Sequence, residues 1–273
     1  MELSAQAIQA SLRVGRHTLD EMTPWPGEIR VVRDTGSTND DVARWGRDGA
    51  RAGFCLFAEH QRNGRGRSGS AWASAVGKNL TFSLLLRPKM ELERWPTLAH
   101  AMALGVSRGV DPWLGGVRSQ VKWPNDVFAD GRKLAGILVE AHPAKKDPFV
   151  VVGVGVNVNA VPEDFPAELR PHVTSVRNFQ GGRKLDRNEV AGAVLAELGR
   201  QAERCEEEFG NQLSDLRDRS LLLGERVTIW QGDERWQGLA VGLGERGELV
   251  VERDSGETER VISADRVRMA SYI

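Results

Sequence analysis

A glycine-rich loop with two arginines carries the clearest chemical signal in the sequence. The loop runs from Gln61 to Trp72, and Arg65 and Arg67 stand two residues apart, so in extended backbone both side chains point to the same side. Glycines let the backbone approach a ligand closely, and a guanidinium group donates paired hydrogen bonds to carboxylates and phosphates. The loop therefore predicts a clamp for an anion. A flexible nucleic-acid-binding loop, or a simply solvated one, explains the same residues equally well.

A lysine ends an apolar strand pattern immediately before Trp123 and Pro124. Rigid backbone at that place can hold Lys122 as a point charge between two anionic reactants. The alternative is that its alkyl stem packs on Trp123 while the ammonium group reaches solvent. Asp126 follows closely and can either hold Mg²⁺ or shape the turn. These residues alone favour neither function over a structural role.

The segment 152–159 alternates valine with glycine or asparagine. In a strand, this pattern places the valines on one face and Gly153, Gly155, Asn157 and Asn159 on the other. A strand face without side chains lets a flat ligand lie on the backbone, and Asn157 can both donate to and accept from an adenine edge. Glycines that serve only close packing are the alternative.

Three small polar residues, Ser37, Thr38 and Asn39, stand directly before a predicted helix with acids in its first turn. Their hydroxyl and amide groups can bind a neutral polar head group. Capping of the helix is the more usual function of such residues. Taken alone, the motif favours capping.

The elements that position these residues form a larger mixed part and a small β-rich end. Strands are predicted at 29–33, 53–59, 79–86, 116–123, 127–129, 133–140 and 149–159, and helices at 4–13, 40–47, 93–110 and 187–208. The middle strands follow one another without helices, which indicates an antiparallel meander with a hairpin turn at Asp130 and Gly131. Beyond residue 222, short strands separated by glycine-containing turns predict a five-stranded SH3-like barrel. We therefore expect two domains, 1–222 and 223–273.

Bulk composition limits the classes of protein to consider. The chain has 273 residues, of which 40% are hydrophobic, and a net charge of −1. This charge gives no global attraction to nucleic acid or to an anionic membrane. No apolar run approaches the roughly 20 residues that span a bilayer, and the two distant cysteines indicate neither a zinc site nor a disulfide framework. We expect a soluble, cytoplasmic protein.

Five motifs in register resemble the biotin protein ligase family. The first is the trio at 37–39, and the others are Gln61 with Gly64-Arg-Gly-Arg67 and Trp72, Lys122-Trp-Pro-Asn-Asp126, Lys133-Leu-Ala-Gly-Ile-Leu-Val-Glu140 and Gly153-Val-Gly-Val-Asn-Val158. Their order and spacing match the family over about residues 30–200. The resemblance implies an α+β fold, with a class II synthetase-like mixed β-sheet, flanking helices and a C-terminal SH3-like β-barrel.

The resemblance also implies a two-step reaction. ATP and Mg²⁺ would convert biotin to biotinyl-5′-AMP, and the biotin would then be joined to a lysine of the biotin carboxyl carrier domain of a carboxylase. A lipoate ligase would keep the lysine and the fold, but would need a longer apolar slot. A nucleic-acid-binding module would need basic surface elsewhere, which the near-neutral charge opposes.

Individual residues receive roles from the same resemblance. Lys122, Arg65 and Arg67 would be catalytic, by neutralising the biotin carboxylate and the phosphates. The positions that match the biotin site are Ser37, Thr38, Asn39, Gln61, Arg65, Gly66, Arg67, Lys122, Gly136 and Gly153. Those that match the ATP site are Arg67, Trp72, Lys122, Asn125 and Asn157. Asp126 would contact a Mg²⁺ ion held mainly by the ATP phosphates.

Some positions depart from the family pattern. A loop arginine often found two residues before the tryptophan is Ser70 here, and residues 160–173 offer only Phe165 where some relatives cover the adenine with tryptophan. Fewer than 30 residues precede the first predicted strand, whereas a winged helix-turn-helix needs roughly 60. We therefore expect no DNA binding and no repressor function. Both a monomer and a homodimer remain open.

Overall fold

Two β-sheets organise the protein in the computed structural model, which describes residues 2–14, 25–73, 75–144 and 146–270. The strands of the larger sheet are β1 (Ile29–Thr35), β2 (Cys55–Gln61), β3 (Leu80–Leu86), β4 (Gln120–Lys122), β5 (Asp126–Ala129), β6 (Arg132–His142) and β7 (Phe149–Val156). The smaller sheet contains β8 (Arg226–Gln231), β9 (Glu234–Leu243), β10 (Leu249–Arg253), β11 (Thr258–Val261) and β12 (Arg266–Met269). The helices are α1 (Ala5–Val14), α2 (Thr38–Arg47), α3 (Thr97–Val110), α4 (Arg187–Glu208) and α5 (Gly210–Asp218).

The larger sheet is mixed and has the strand order β1-β2-β3-β7-β6-β5-β4. β1 pairs with β2 in parallel, and the other described neighbours in this sheet are antiparallel. At the β5–β6 hairpin, Asp130 and Gly131 have φ values of 49° and 68°, the positive values that a two-residue turn of this kind requires. The expected mixed sheet and antiparallel meander are confirmed.

Helices cover both faces of this sheet. On one face, α2 packs over a cluster that includes Leu56, Leu85 and Val151. On the other face, Val152, Val154 and Val156 of β7 join α1, α3 and α4 in the main core. α3 is buried almost all round, and a Cβ atom added at Gly109 would lie 2.7 Å from the Cα atom of Val194 in α4. The two helices can approach this closely because glycine has no side chain.

The smaller sheet is antiparallel with the order β11-β10-β9-β8-β12, which agrees with the expected SH3-like domain. The predicted domain boundary near residue 222 stays a prediction. The strand predicted to begin at residue 116 starts at Gln120, and α5 lies in a segment for which the sequence pattern predicts no helix. None of the helices in the described part of the chain combines the length and apolar content needed to cross a membrane.

Candidate active site

A cavity of about 360 Å³ opens on the α2 face of the larger sheet, between the glycine-rich loop, β4 to β7 and residues 264–267 of the smaller sheet's chain segment. Thirteen of the fourteen predicted site residues line it: Ser37, Thr38, Asn39, Gln61, Arg65, Gly66, Arg67, Trp72, Lys122, Asn125, Asp126, Gly136 and Gly153. The structure thus brings together motifs that are far apart in the sequence. The roles assigned to these residues stay predictions.

The cavity forms where this face of the sheet changes from apolar to bare. Val151 of β7 packs under α2, but the next residues on the same face are Gly153 and Gly155. Gly136 of β6 pairs with Gly155, which extends the region without side chains across two strands. We call Gly136, Gly153 and Gly155 the glycine strip. Without Cβ atoms, the strip leaves room for other groups to lie directly on the backbone.

One wall of the cavity is a hydrogen-bonded set of small polar residues at the start of α2. The backbone N–H and the hydroxyl group of Thr38 both donate to Oε1 of Gln61, at 2.7 and 2.8 Å. Ser37 is the N-cap residue, but its side chain makes no capping hydrogen bond and instead accepts from Arg65 at 3.3 Å. The capping alternative is therefore wrong for Ser37. Its hydroxyl group belongs to the cavity wall.

Asn39 fills the space above Gly153. A Cβ atom added at Gly153 would lie 2.3 Å from Oδ1 of Asn39, so this amide occupies the place of the missing side chain. Nδ2 of Asn39 donates to Glu140 at 2.6 Å, and Oδ1 accepts from Ser83 at 2.5 Å. The first glycine of the strip therefore seats a protein side chain.

Arg65 is held by two carboxylates. Its guanidinium group donates to both oxygens of Asp40, at 3.0 and 2.7 Å, and reaches Glu140 at 3.0 Å. Hydrogen bonding to Asp40 is the main cause that raises the pKa of Arg65, and the same bond lowers the pKa of Asp40. The glycine-rich loop is thereby tied to both α2 and β6.

Arg67 joins the loop to the connection between β4 and β5 and to the segment before β12. Nη2 donates to the backbone carbonyl of Ala264 at 2.9 Å, and Nη1 reaches Oδ1 of Asn125 at 3.4 Å. Asn125 in turn donates to the carbonyl of Ile137. Burial lowers the pKa of Arg67, although nearby Asp126 and Asp265 oppose the shift. An anionic ligand would be stabilised in this partly desolvated, cationic setting.

Two lysines flank Asp126 at the cavity wall. Lys122 pairs with Asp126 across the β4–β5 ladder, and Nζ of Lys133 lies 2.8 Å from a carboxylate oxygen of Asp126. Burial is the main cause that lowers the pKa of Lys122; the charge of Asp126 opposes it, and Lys133 adds to it. The ammonium group of Lys122 lies 5.5 Å from the ring centre of Phe128. Lys122 is half-buried at the cavity wall, and its role there stays a prediction.

Trp72 lies on the other two glycines of the strip. Added Cβ atoms at Gly155 and Gly136 would lie 2.2 and 3.0 Å from its ring. Nζ of Lys133 is 5.7 Å from the ring centre. The indole nitrogen is buried without a hydrogen-bond partner among the described residues. The bare strand face predicted from the sequence is thus covered by Asn39 and Trp72.

Asn157 is the predicted site residue that the structure does not bring to the cavity wall. It follows the last residue of β7, is 2% exposed, and accepts a hydrogen bond from Asn79 at 3.3 Å. Its predicted contact with adenine stays a prediction. Ser70, the departure from the family pattern, does line the cavity and bonds the carbonyl of Arg67.

Known proteins are similar to the chain over most of its length. A biotin–[acetyl-CoA-carboxylase] ligase of Mycobacterium tuberculosis is 36% identical over 245 residues, which cover 88% of this chain and 88% of the relative. The chain belongs to the biotin protein ligase family. A bifunctional ligase/repressor of Bacillus subtilis is 31% identical and is matched over 71% of its length, with 86% of this chain.

Family models and a solved structure agree with this assignment. Residues 31–157 match the biotin/lipoate A/B protein ligase family, and residues 222–265 match the biotin protein ligase C-terminal domain. The biotin protein ligase of Aquifex aeolicus, solved in complex with biotin and ATP, superposes with a TM-score of 0.77 at 29% identity, covering 89% of this chain and 100% of that one. The recognition from five motifs and the expectation of a ligase are confirmed.

Sequence reasoning on this biotin protein ligase did not assign Asp40, Ser83 or Glu140 to the site. Asp40 and Glu140 hold Arg65, and Ser83 bonds two residues of the polar wall. Lys133 received no role of its own, although its position in a recognised motif and beside Gly136 marks it as part of the site. The local sequence around Glu140 and Ser83 does not reveal their function, because their partners come from distant segments.

Proposed function

We propose that this ligase joins biotin to ATP to form biotinyl-5′-AMP and then transfers the biotin to a lysine of a biotin carboxyl carrier domain. The observation that carries the proposal is a single cavity in which a neutral polar wall at 37–39 and Gln61 leads to a cationic end. A cyclic urea and a carboxylate at opposite ends of one ligand fit this arrangement. The names and bound ligands of the relatives support the same substrates.

The polar wall would bind the ring end of biotin. Ser37, Thr38, Asn39 and Gln61 offer hydroxyl and amide groups held by hydrogen bonds. Thr38 bonds Gln61, Asn39 donates to Glu140, and Ser37 accepts from Arg65. Prearranged donors and acceptors reject ligands that leave them unpaired, and this gives specificity for a ring with both N–H and C=O groups. The backbone near Gly66, Gly136 and Gly153 would line the path of the tail.

The cationic end would bring two anions together. In the first step, a carboxylate oxygen of biotin attacks the α-phosphorus of ATP, the new P–O bond forms, and the bond to pyrophosphate breaks. Lys122 and Lys133, on either side of Asp126, would reduce the repulsion between the carboxylate and the phosphate, with Arg65 and Arg67 closing over them. In the second step, the acceptor amine attacks the carbonyl carbon, AMP leaves and the amine loses a proton.

The nucleotide would lie toward Trp72, Asn125 and Asn157. Trp72 offers an aromatic face, and Arg67 lies between Asn125 and the segment at Ala264. A phosphate chain at this place would replace neutral partners of Arg67 by charged ones. Charge-assisted hydrogen bonds are roughly twice as strong as neutral ones.

Mg²⁺ would supply positive charge to the phosphate oxygens. Mg²⁺ is commonly held by one or two carboxylates together with substrate phosphates, and Asp126 at the cavity wall fits that donor set. The described residues contain no group of three or more His, Cys, Asp or Glu side chains that could hold a metal ion by themselves. Asp126 would therefore contribute only together with bound ATP.

The test uses labelled biotin with and without ATP. We expect the protein to retain biotin through gel filtration much longer when ATP and Mg²⁺ are present, because the adenylate is trapped in the closed cavity. Labelled lipoate serves as the comparison ligand. Equal retention of biotin with and without ATP, or preference for lipoate, would contradict the proposed reaction.

We further propose that the protein does not act as a repressor, whereas the relative from Bacillus subtilis is named as both ligase and repressor. The net charge of −1 supports this, since non-specific DNA binding depends on phosphate neutralisation by basic residues. A mobility-shift assay on the protein's own promoter region should show no specific complex. A salt-sensitive, sequence-specific shift would contradict the proposal.

A further inference from the structure

Ser83 is a polar residue in the middle of an apolar strand. β3 reads Leu-Thr-Phe-Ser-Leu-Leu-Leu, and Ser83 is fully buried. Its partner in the ladder is Gly153, so the hydroxyl group lies on the face that carries α2 and the cavity. Burying a hydroxyl group is unfavourable unless it is hydrogen-bonded, so its partners show what it does.

Both partners of Ser83 belong to the polar wall. Oγ of Ser83 lies 2.7 Å from Oγ1 of Thr38 and 2.5 Å from Oδ1 of Asn39. Ser83 itself does not line the cavity, whereas Thr38 and Asn39 do. A substitution at Ser83 can therefore reach a ligand only through these two neighbours.

The protons of Thr38 and Asn39 are used in other hydrogen bonds, so Ser83 must act as the donor to both side chains. The hydroxyl proton of Thr38 is directed to Gln61, and the amide protons of Asn39 are on the side of Glu140. Oγ1 of Thr38 and Oδ1 of Asn39 therefore both accept from Ser83. The two acceptors share the single hydroxyl proton of Ser83, and this shared hydrogen bond orients both side chains.

The contact between Asn39 and Gly153 shows why the amide of Asn39 needs a partner at its oxygen atom. Because Gly153 has no side chain, the amide lies directly on the strand backbone, where an added Cβ atom would be 2.3 Å from Oδ1 of Asn39. Glu140 holds only the nitrogen end of the amide. Without the hydroxyl group of Ser83, the oxygen end loses its described partner.

We propose that Ser83 is a positioning residue for the polar wall, which orients Thr38 and Asn39 toward the ring end of biotin. This inference rests on the proposed function of the wall. The hydroxyl group acts on the binding of biotin and not on the chemical step, since its hydrogen bonds among the described residues go to the polar wall and not to the cationic end. Loss of the hydroxyl group should raise the Michaelis constant for biotin while the ATP end keeps its geometry.

The experiment compares Ser83→Ala with wild-type protein in steady-state biotinylation. We expect the Michaelis constant for biotin to rise about tenfold or more, with kcat and the Michaelis constant for ATP within about twofold of wild type. Ser83→Cys keeps the size and a weak donor, and should give an intermediate value. Ser107→Ala is the matched control, because Ser107 is also fully buried and bonds another serine, Ser119, away from the cavity.

Several outcomes would overturn the inference. An unchanged Michaelis constant for biotin in Ser83→Ala would do so. A lowered kcat, a lowered Tm and an equal rise in the Michaelis constants for biotin and ATP would do so too, because they indicate a general loss of structure. If Ser83→Ala does not fold, wild-type kinetics in Ser83→Cys together with wild-type kinetics in Ser107→Ala would remove the role. A wild-type protein without biotin-dependent activity would overturn the proposed function itself, and this inference with it.

Discussion

Charge at single residues decides whether this cavity can join two anions. Lys122 and Lys133 both approach Asp126, which partly neutralises them in the absence of ligand. A phosphate or carboxylate that enters the site would meet two cations held at the cavity wall by the protein. Such groups contribute more in a partly desolvated cavity than they would in water.

We therefore predict that Lys122→Gln lowers adenylate formation by roughly 10²–10³, the scale for removing one preorganised electrostatic group, while biotin still binds. Lys133→Gln should have an effect of the same order, because its ammonium group lies at the glycine strip. Lys78→Gln is the control, since Lys78 pairs with Asp164 outside the cavity. Biotin-dependent pyrophosphate exchange measures the step. A near wild-type rate in Lys122→Gln would refute its role.

At the scale of the element, β7 matters through the side chains that it lacks. Val152, Val154 and Val156 bury one face in the main core, and the glycines receive Asn39 and Trp72 on the other. The strand therefore provides one backbone surface for both side chains, and this fixes the distance between the polar wall and the loop tryptophan. This explains how residues from α2 and from the glycine-rich loop meet on one surface.

Gly155→Ala tests this description of β7. The new Cβ atom would lie 2.2 Å from the ring of Trp72, so the indole group must leave the strip. We expect the Michaelis constant for ATP to rise about tenfold, equivalent to ~1.4 kcal/mol, with a change in tryptophan fluorescence. Gly242→Ala in β9 is the control, because an added Cβ atom there meets nothing nearer than 4.0 Å. An unchanged Michaelis constant for ATP in Gly155→Ala would contradict the claim that Gly155 positions Trp72 for the nucleotide.

The elements could be predicted from the sequence where their pattern is local. α4 spans Arg187–Glu208, as its apolar spacing indicates, and the valines of β7 lie in the core as their alternation predicts. α5 was missed because Phe209 and Gly210 interrupt the pattern directly after α4. The seat of Asn39 on Gly153 could not be predicted, since it depends on how distant segments approach one another.

At the scale of the whole molecule, His100 connects the two sheets. It lies in α3, and its ring would be 2.5 Å from a Cβ atom added at Gly247, in the turn between β9 and β10. Trp123 donates to the carbonyl of Gly247 at 2.9 Å, and His100 hydrogen-bonds the backbone of Pro124. The segment that contains Lys122 is thus braced against the smaller sheet.

This contact predicts a dependence of stability on pH. Burial is the main cause that lowers the pKa of His100 to about 4, from an ordinary value of 6.5. Between these values the unfolded chain binds a proton that the folded protein excludes. The free energy of unfolding therefore has its full value above pH 6.5 and falls as the pH is lowered toward 4. The loss from pH 7 to pH 5 should be about 2 kcal/mol. Urea denaturation at the two pH values measures it.

His100→Gln provides the control for this pH effect. The variant should be less stable at neutral pH, but its stability should change much less between pH 7 and pH 5, because it has no group at this position that titrates in that window. If wild type and variant lose the same free energy of unfolding over this range, the titration of His100 is not the cause.

The central claim is that the cavity makes biotinyl-5′-AMP and passes the biotin to a protein lysine. The most direct measurement is the mass of a biotin carboxyl carrier domain after incubation with the protein, ATP, Mg²⁺ and biotin. We predict an increase by one biotinyl group, which disappears when ATP is omitted or when the acceptor lysine is replaced by arginine. No increase in mass across a panel of carrier domains would contradict the claim.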